Sequence, residues 1–206
     1  FGLLFNHAIL YGRHNDLINM NVVGNKVGFS AYGFNPYGGG VDVLGKQLSL
    51  FRFKMYFDVR GLDRRHPLIS TLYELKSVKY VEIGGIFMVM AEYVSKNMVH
   101  KLLLLPNGDL VWWDNGNPSG QENTTFDNIC GVDIMVRTAF IRLGVSPSEM
   151  HSVPSPNLDR DGYSSTKAMA YIFGDDGLIG LNVDKTPEEI EFIFRETFNM
   201  FNGLQL

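Results

Sequence analysis

Two short apolar runs, Lys167 to Phe173 and Leu178 to Val183, flank Gly174-Asp175-Asp176-Gly177. Strand-forming residues on either side of a glycine-bounded polar turn predict a β-hairpin, and with it an antiparallel sheet. The hairpin carries two carboxylates, Asp175 and Asp176, in its turn. A third, Asp58, closes another run rich in β-formers, Phe51 to Val59. A carboxylate at a strand end and one in the turn of a neighbouring strand can converge on a cation while the strands hold both rigid. Hard, oxygen-only ligands of this kind suit Mg²⁺. Two such ions about 4 Å apart can activate an attacking 3′-hydroxyl and stabilise a leaving pyrophosphate. Asp-Asp is also ordinary turn chemistry, so the hairpin by itself is a weak signal.

The other segments read as helices around this sheet and one further hairpin. After the loop Asn35-Pro36-Tyr37-Gly38-Gly39-Gly40, a helix is expected from Val41 to Phe51. Pro67 can open the next, Leu68 to about Tyr80, where Leu68, Leu72, Leu75 and Val78 share a face. Another spans Ile86 to Asn97. Lys101 to Leu105 and Asp109 to Trp113 are joined by Pro106-Asn107-Gly108, a tight-turn signal. Alternation along that strand turns one of Trp112 and Trp113 toward the core. A breaker-rich loop, Asn115 to Gly120, precedes a long helix from about Thr124 to Leu143, stopped by Gly144. Ser146 to Asp161 is a polar connection. Thr186-Pro187-Glu188-Glu189 supplies a cap, a first-turn proline and an acidic first turn for a helix to about Phe201, ended by Asn202-Gly203.

With 206 residues, 45% hydrophobic and 19% charged, the composition is globular, with room for one sizeable core or two small ones. The single cysteine, Cys130, excludes an internal disulfide and a cysteine-based zinc cluster, and fits a reducing compartment such as the cytosol. The histidines at 7, 14, 66, 100 and 151 lack metal-ligand spacing. A net charge of −4 gives no hint of a nucleic-acid partner. The start, Phe1-Gly2-Leu3-Leu4-Phe5, has neither initiator Met nor the basic lead of a signal peptide, so the chain is expected to begin inside a larger product such as a polyprotein.

Two further patterns change the weight of the hairpin. Asp58-Val59-Arg60-Gly61-Leu62-Asp63 has the form D-x4-D at a strand end, and Ser119 to Asn128 has the form S-G-x3-T-x3-N in a loop running into a helix. In this order, with Gly174-Asp175-Asp176, they resemble motifs A, B and C of the RNA-dependent RNA polymerases of positive-strand RNA viruses, in the picornavirus-like supergroup. Asn117-Pro118-Ser119-Gly120-Gln121 with Thr124-Thr125 and Asp127-Asn128 looks most like the astrovirus type. The helix Pro187 to Phe201 resembles the start of motif D. Phe173 stands where many relatives carry Tyr, and Asp63 is followed by an unusual basic pair, Arg64-Arg65.

The resemblance implies an α+β fold, the palm of a right-hand polymerase: a three-stranded, RRM-like antiparallel sheet backed by helices, with partial fingers. Residues 1–50 would be a finger lead-in and 51–206 the palm, with a finger insertion at about 82–117 and no thumb. It implies template-directed nucleotidyl transfer with Mg²⁺ or Mn²⁺ held by Asp58, Asp175 and Asp176, the last as an auxiliary group. Asp63 and Asn128 would read the ribose 2′-hydroxyl, supported by Ser119 and Thr124, and Gly120 would let the loop backbone pass close to the nucleotide. An acceptor carboxylate and a donor amide can together satisfy a hydroxyl, the group that separates RNA from DNA precursors. The implied partners are RNA template and nascent RNA, ribonucleoside triphosphates, the remaining fingers and thumb, and other viral replication proteins in the host cytoplasm. The basic finger segment and the motif D lysine fall outside these residues, so the 206 residues alone are expected to be inactive. The rival readings are a reverse transcriptase-like palm, a non-catalytic structural domain, and a cysteine hydrolase built from His100, Asp114 and Cys130.

Overall fold

The computed structural model describes residues 36–37, 39–74, 85–120, 124–151, 166–201 and 205–206. In chain order these form helix α1 (Gly40–Ser49), strand β1 (Phe53–Asp58), a one-turn helix α2 (Leu62–Arg65), helix α3 (Ile86–Val99), strands β2 (Lys101–Leu104) and β3 (Leu110–Trp113) and helix α4 (Thr124–Arg142). A 3₁₀ turn (Pro147–Glu149), strands β4 (Met150–His151), β5 (Ala168–Phe173) and β6 (Asp176–Leu181), and helix α5 (Pro187–Met200) complete them. One more helix starts at residue 69 and is described to 74. Residues 1–35 of the expected N-terminal lead-in, the far half of that helix, residues 121–123 of the S-G-x3-T-x3-N stretch, most of the Ser146 to Asp161 connection and the Asn202-Gly203 stop lie outside the described residues.

The sheet is four-stranded in the order β1-β6-β5-β4. β6 lies antiparallel to both β1 and β5 in unbroken six-residue registers. The fourth strand corrects the three-stranded, wholly antiparallel expectation, because β4 pairs with β5 in parallel. Two residues are too few to leave a period in the sequence. What places β4 is the turn before it, where the Lys167 backbone N–H donates to the Glu149 carbonyl at 3.0 Å.

Alternation in β1 turns Phe53, Met55 and Phe57 to one face and Lys54, Tyr56 and Asp58 to the other. α4 and α5 cover the first face. On α4 the apolar positions Ile129, Val132, Met135, Val136, Ala139 and Phe140 recur at three- and four-residue steps and are fully buried. α5 starts where the sequence predicts: Thr186 Oγ1 accepts from Glu189 N–H and the Glu189 carboxylate accepts from Thr186 N–H, a capping box with Pro187 in its first turn. It contributes Phe194 and Phe198, whose ring centroids lie 6.5 and 5.7 Å from that of Phe57. Truncating a ring in such a cluster costs about 3–5 kcal/mol. Directly opposite Phe57 on β6 is Gly177; a β-carbon there would collide with the Phe57 ring. The glycine makes room for the aromatic cluster to reach the sheet.

β2 and β3 form a separate two-stranded sheet. Trp112 and Trp113 are both exposed, at 68% and 39%, which corrects the expectation that one faces the core. A lone two-stranded ribbon cannot bury a face by itself. Among the described residues no helix is long and apolar enough to cross a membrane.

Gly177→Ala is expected to cost about 1–3 kcal/mol in urea unfolding, as overpacking does, and less in a Phe57→Leu background. Equal losses in both backgrounds would show that the ring is not what the glycine accommodates.

Glu149 gives a pH-dependent handle on the β4 corner. Its carboxylate pairs with Lys167 Nζ at 2.6 Å and accepts from the Ser146 N–H and hydroxyl at 3.0 and 2.9 Å. The Lys167 contact first, then the two Ser146 donors, lower its pKa from 4.5 to about 2. A depressed carboxylate pKa stabilises the fold above the unfolded value and loses that contribution as pH falls through the folded one. Glu149→Gln should therefore lower Tm near neutrality, with the gap to the wild type closing between about pH 4.5 and about pH 2. A gap that is constant over that window would exclude the ionised carboxylate as its source.

Candidate active site

At the exposed end of the other sheet face the register sets Asp58 directly across from Asp176, and Asp176 across from Phe173. Gly174 and Asp175 alone make the turn. Asp176 is therefore the first residue of β6, not a turn residue as the sequence suggested. Gly174 has φ +66°, a left-handed conformation that closes a two-residue turn cheaply only at glycine. The turn is tied to the end of β1, since the Val59 N–H donates to the Asp175 carbonyl at 3.1 Å. Three carboxylates thus share one sheet end. Burial, and then the charges of Asp58, Asp176 and Asp63, push the Asp175 carboxyl above its ordinary pKa, opposed by a hydrogen bond from its own backbone amide. Tyr56, two residues before Asp58 on the same face, donates its hydroxyl to Asp176 Oδ1 at 2.5 Å. That bond is the largest cause of an upward shift in the Tyr56 pKa, and the three aspartates add to it.

The donor set suits a hard divalent cation: all oxygen, acidic, at the surface, and crowded by like charges that a cation would neutralise. Among the described residues no three or more His, Cys, Asp or Glu side chains converge closely enough to hold an ion by themselves. A cation at this open edge would need water or phosphate oxygens to complete its shell.

A second network is built around Asp63 in α2. Asp63 Oδ2 accepts from Ser119 Oγ at 2.6 Å, and Oδ1 accepts from Asn128 Nδ2 at 3.1 Å. Residues 56 and 65 positions away thus meet on one carboxylate. Behind them lies Asn117, fully buried. Its Nδ2 donates both to Asn128 Oδ1 at 2.9 Å and to the Thr124 carbonyl at 3.0 Å. The Asn128 amide is thereby fixed, oxygen toward Asn117 and nitrogen toward Asp63. Thr124 Oγ1 donates to the Pro118 carbonyl at 2.6 Å, tying the start of α4 to the loop.

The loop is also docked through its backbone. Asn117 N–H donates to the Asp63 carbonyl at 2.7 Å, and Gly116, at φ +75°, presses against the Asp63 and Arg64 peptides, where a β-carbon would collide. Lys101 Nζ donates to the carbonyls of Gly116 and Met98, both at 2.8 Å, joining the loop to the end of α3. Burial lowers the Lys101 pKa, against the opposing charge of Asp114.

Of the residues singled out from sequence, Asp58, Asp175 and Asp176 thus share the acidic edge, while Asp63, Ser119, Thr124 and Asn128 share the second network. Gly120 lies in the same loop, exposed. Arg64 and Arg65 are exposed beside Asp63. His100 and Asp114 pair at 2.9 Å at the base of the β2–β3 hairpin, and Cys130 is half-buried on α4. Asn117 and Tyr56 carry roles that the motif reading did not assign. Asn117 had a signal, an asparagine followed by proline next to Ser119; Tyr56 had only its place two residues before Asp58. No protein-family model matches the chain, and no curated protein matches it in sequence.

Gly108 sits in the hairpin turn at φ +90° with open space around its α-carbon, so it isolates the conformational cost that Gly116 shares. Gly108→Ala is expected to cost about 1–2 kcal/mol, and Gly116→Ala distinctly more by urea unfolding. Equal costs would show that the loop does not rest on the Asp63 peptide.

Proposed function

We propose that the chain is the palm of a positive-strand RNA virus RNA-dependent RNA polymerase, acting in template-directed RNA synthesis in the host cytoplasm. The observation that carries this reading is the convergence of Ser119 and Asn128 on Asp63, beside an edge where Asp58 faces Asp176. Turn chemistry accounts for an Asp-Asp pair. It does not account for a serine and an asparagine, nine residues apart, that both donate to an aspartate five residues beyond another edge carboxylate.

Each carboxylate oxygen of Asp63 has a second lone pair, and Asn128 Nδ2 a second hydrogen. An incoming ribose 2′-hydroxyl can therefore donate to Asp63 while it accepts from Asn128. A deoxyribose offers neither contact, and the two groups lose their partner at the moment substrate excludes water. Asn117 holds the Asn128 amide in the orientation this requires. Asp58, Asp175 and Asp176 would hold Mg²⁺ or Mn²⁺, which when bound supplies activation of the 3′-hydroxyl and stabilisation of the departing pyrophosphate. The partners on this reading are RNA template and product, ribonucleoside triphosphates, the fingers and thumb that complete the polymerase, and other replication proteins. The segment from α3 through β3 belongs to the fingers.

The test is primer extension by the complete polymerase carrying these residues. Asp175→Ala is expected to abolish nucleotide addition while leaving the melting temperature unchanged or raised, since it removes one of several clustered like charges. Ser119→Ala and Asn128→Ala are expected to lower kcat/KM for ribonucleotides more than for deoxyribonucleotides, each by the worth of a hydrogen bond, about 0.5–1.5 kcal/mol. Full activity in Asp175→Ala would remove the polymerase reading. An unchanged sugar preference in both other variants would remove the role given to the Asp63 network.

A further inference from the structure

β1 and β6 set like charges against each other, Asp58 against Asp176, and one more polar side chain reaches this pair from the same face. Tyr56 opposes Leu178, so its contact with Asp176 runs diagonally across the antiparallel pair, a span that aromatic side chains can cover. The hydroxyl meets Oδ1 at 2.5 Å, within the range of charge-assisted O–H···O⁻ bonds. Tyr56 is 66% exposed, so little packing holds the ring in place. The hydrogen bond is made at the surface, where it adds little to stability, yet it engages one of the two oxygens of an edge carboxylate.

The direction of the bond matters. Leu178 lies down the strand from Asp176, away from the turn, so Tyr56 reaches Asp176 from the side opposite Gly174 and Asp175. Asp176, the residue directly across from Asp58, thus has one carboxylate oxygen held by Tyr56. We propose that Tyr56 is a positioning residue of the metal site: its hydroxyl holds Oδ1 of Asp176 and so fixes the orientation of the carboxylate directly across from Asp58. This role rests on the polymerase reading of Asp58 and Asp175, and its test separates the two.

The test uses the 206-residue chain and Mn²⁺ alone, with free Mn²⁺ counted by its paramagnetic resonance signal. Partners that orient metal-binding side chains typically change metal affinity by 10–100-fold when removed. At an open edge the lower figure applies, and Tyr56→Phe is expected to weaken Mn²⁺ binding about tenfold with an unchanged thermal melt. In an Asp176→Asn background the same substitution should have no further effect, because the carboxylate it orients is gone. Unaltered affinity in Tyr56→Phe, or an equal loss with and without Asp176, would overturn the positioning role while leaving the metal site standing. Mn²⁺ binding that survives both Asp58→Asn and Asp175→Asn would instead overturn the site itself, and this role with it.

Discussion

A slip of one residue between β1 and β6 would set Asp58 against Asp175 or Gly177 and turn Phe57 out of the core, because side chains alternate with a period of two. Glycines on β6 prevent the slip. The Phe57 ring occupies the space a side chain at 177 would need, and the Phe51 ring crowds 180 in the same way. Moving the strand would drive these rings into Asp176, Leu178, Ile179 or Leu181. The packing of Phe57 against Phe194 and Phe198 therefore does two things at once. It builds the apolar centre of the sheet, and it decides which carboxylates face each other at the sheet's exposed end.

The Asp63 network inherits its position from the same register. Between Asp58 and Asp63 the chain is anchored by Val59 and Leu62, at 0% and 1% exposure, and by the bond from Val59 to the Asp175 carbonyl. α2 has little freedom to move relative to the acidic edge. The loop before α4 then docks on α2 through Asn117 and Gly116, and α4 packs on the sheet from below. A closed circuit results, from sheet to α2 to loop to α4 and back to the sheet. Side chains distant in sequence are fixed within it without a disulfide.

The parts of this circuit that were legible in the sequence are those with a strong local signature. The hairpin at Gly174, the capped start of α5 and the three-and-four spacing of α4 were readable because a turn, a cap or a period fits within a dozen residues. So was the pairing of Asp63 with Asn128, though only through the spacing of two motifs that resemble a family's, since nothing local joins residues 65 positions apart. What was not legible depends on tertiary placement. β4 is two residues held by a backbone bond. The one-turn helix α2 has no period. Asp176 joined its strand because Gly174 closed the turn in two residues. Trp112 and Trp113 alternate as a half-buried strand should, but no rule of alternation says whether a layer covers the face. Asn117 was readable as part of a loop and of a motif resemblance but not as a buried residue, and its burial makes it the centre of the network.

Like charges directly across a strand pair are destabilising, and a sheet whose end gathers Asp58, Asp175 and Asp176 departs from the local consistency that governs the rest of the fold. Surface position limits the cost, because water screens the repulsion. The same exposure limits what the cluster could add as a structural device, for exposed charges contribute little in either direction. A structural explanation would need the three to bind something within the chain. Among the described residues only Tyr56 donates a side-chain hydrogen bond to any of them, and it reaches only Asp176. The residues that hold the cluster together are instead apolar and buried: Phe57 and Val59 at the end of β1, Leu62 at the start of α2, and Ile172 and Ile179 on the hairpin. Asp58, Asp175 and Asp176 thus stand exposed at the end of a rigid apolar platform. The Asp63 network has the opposite character, since its donors and acceptors are already paired with one another.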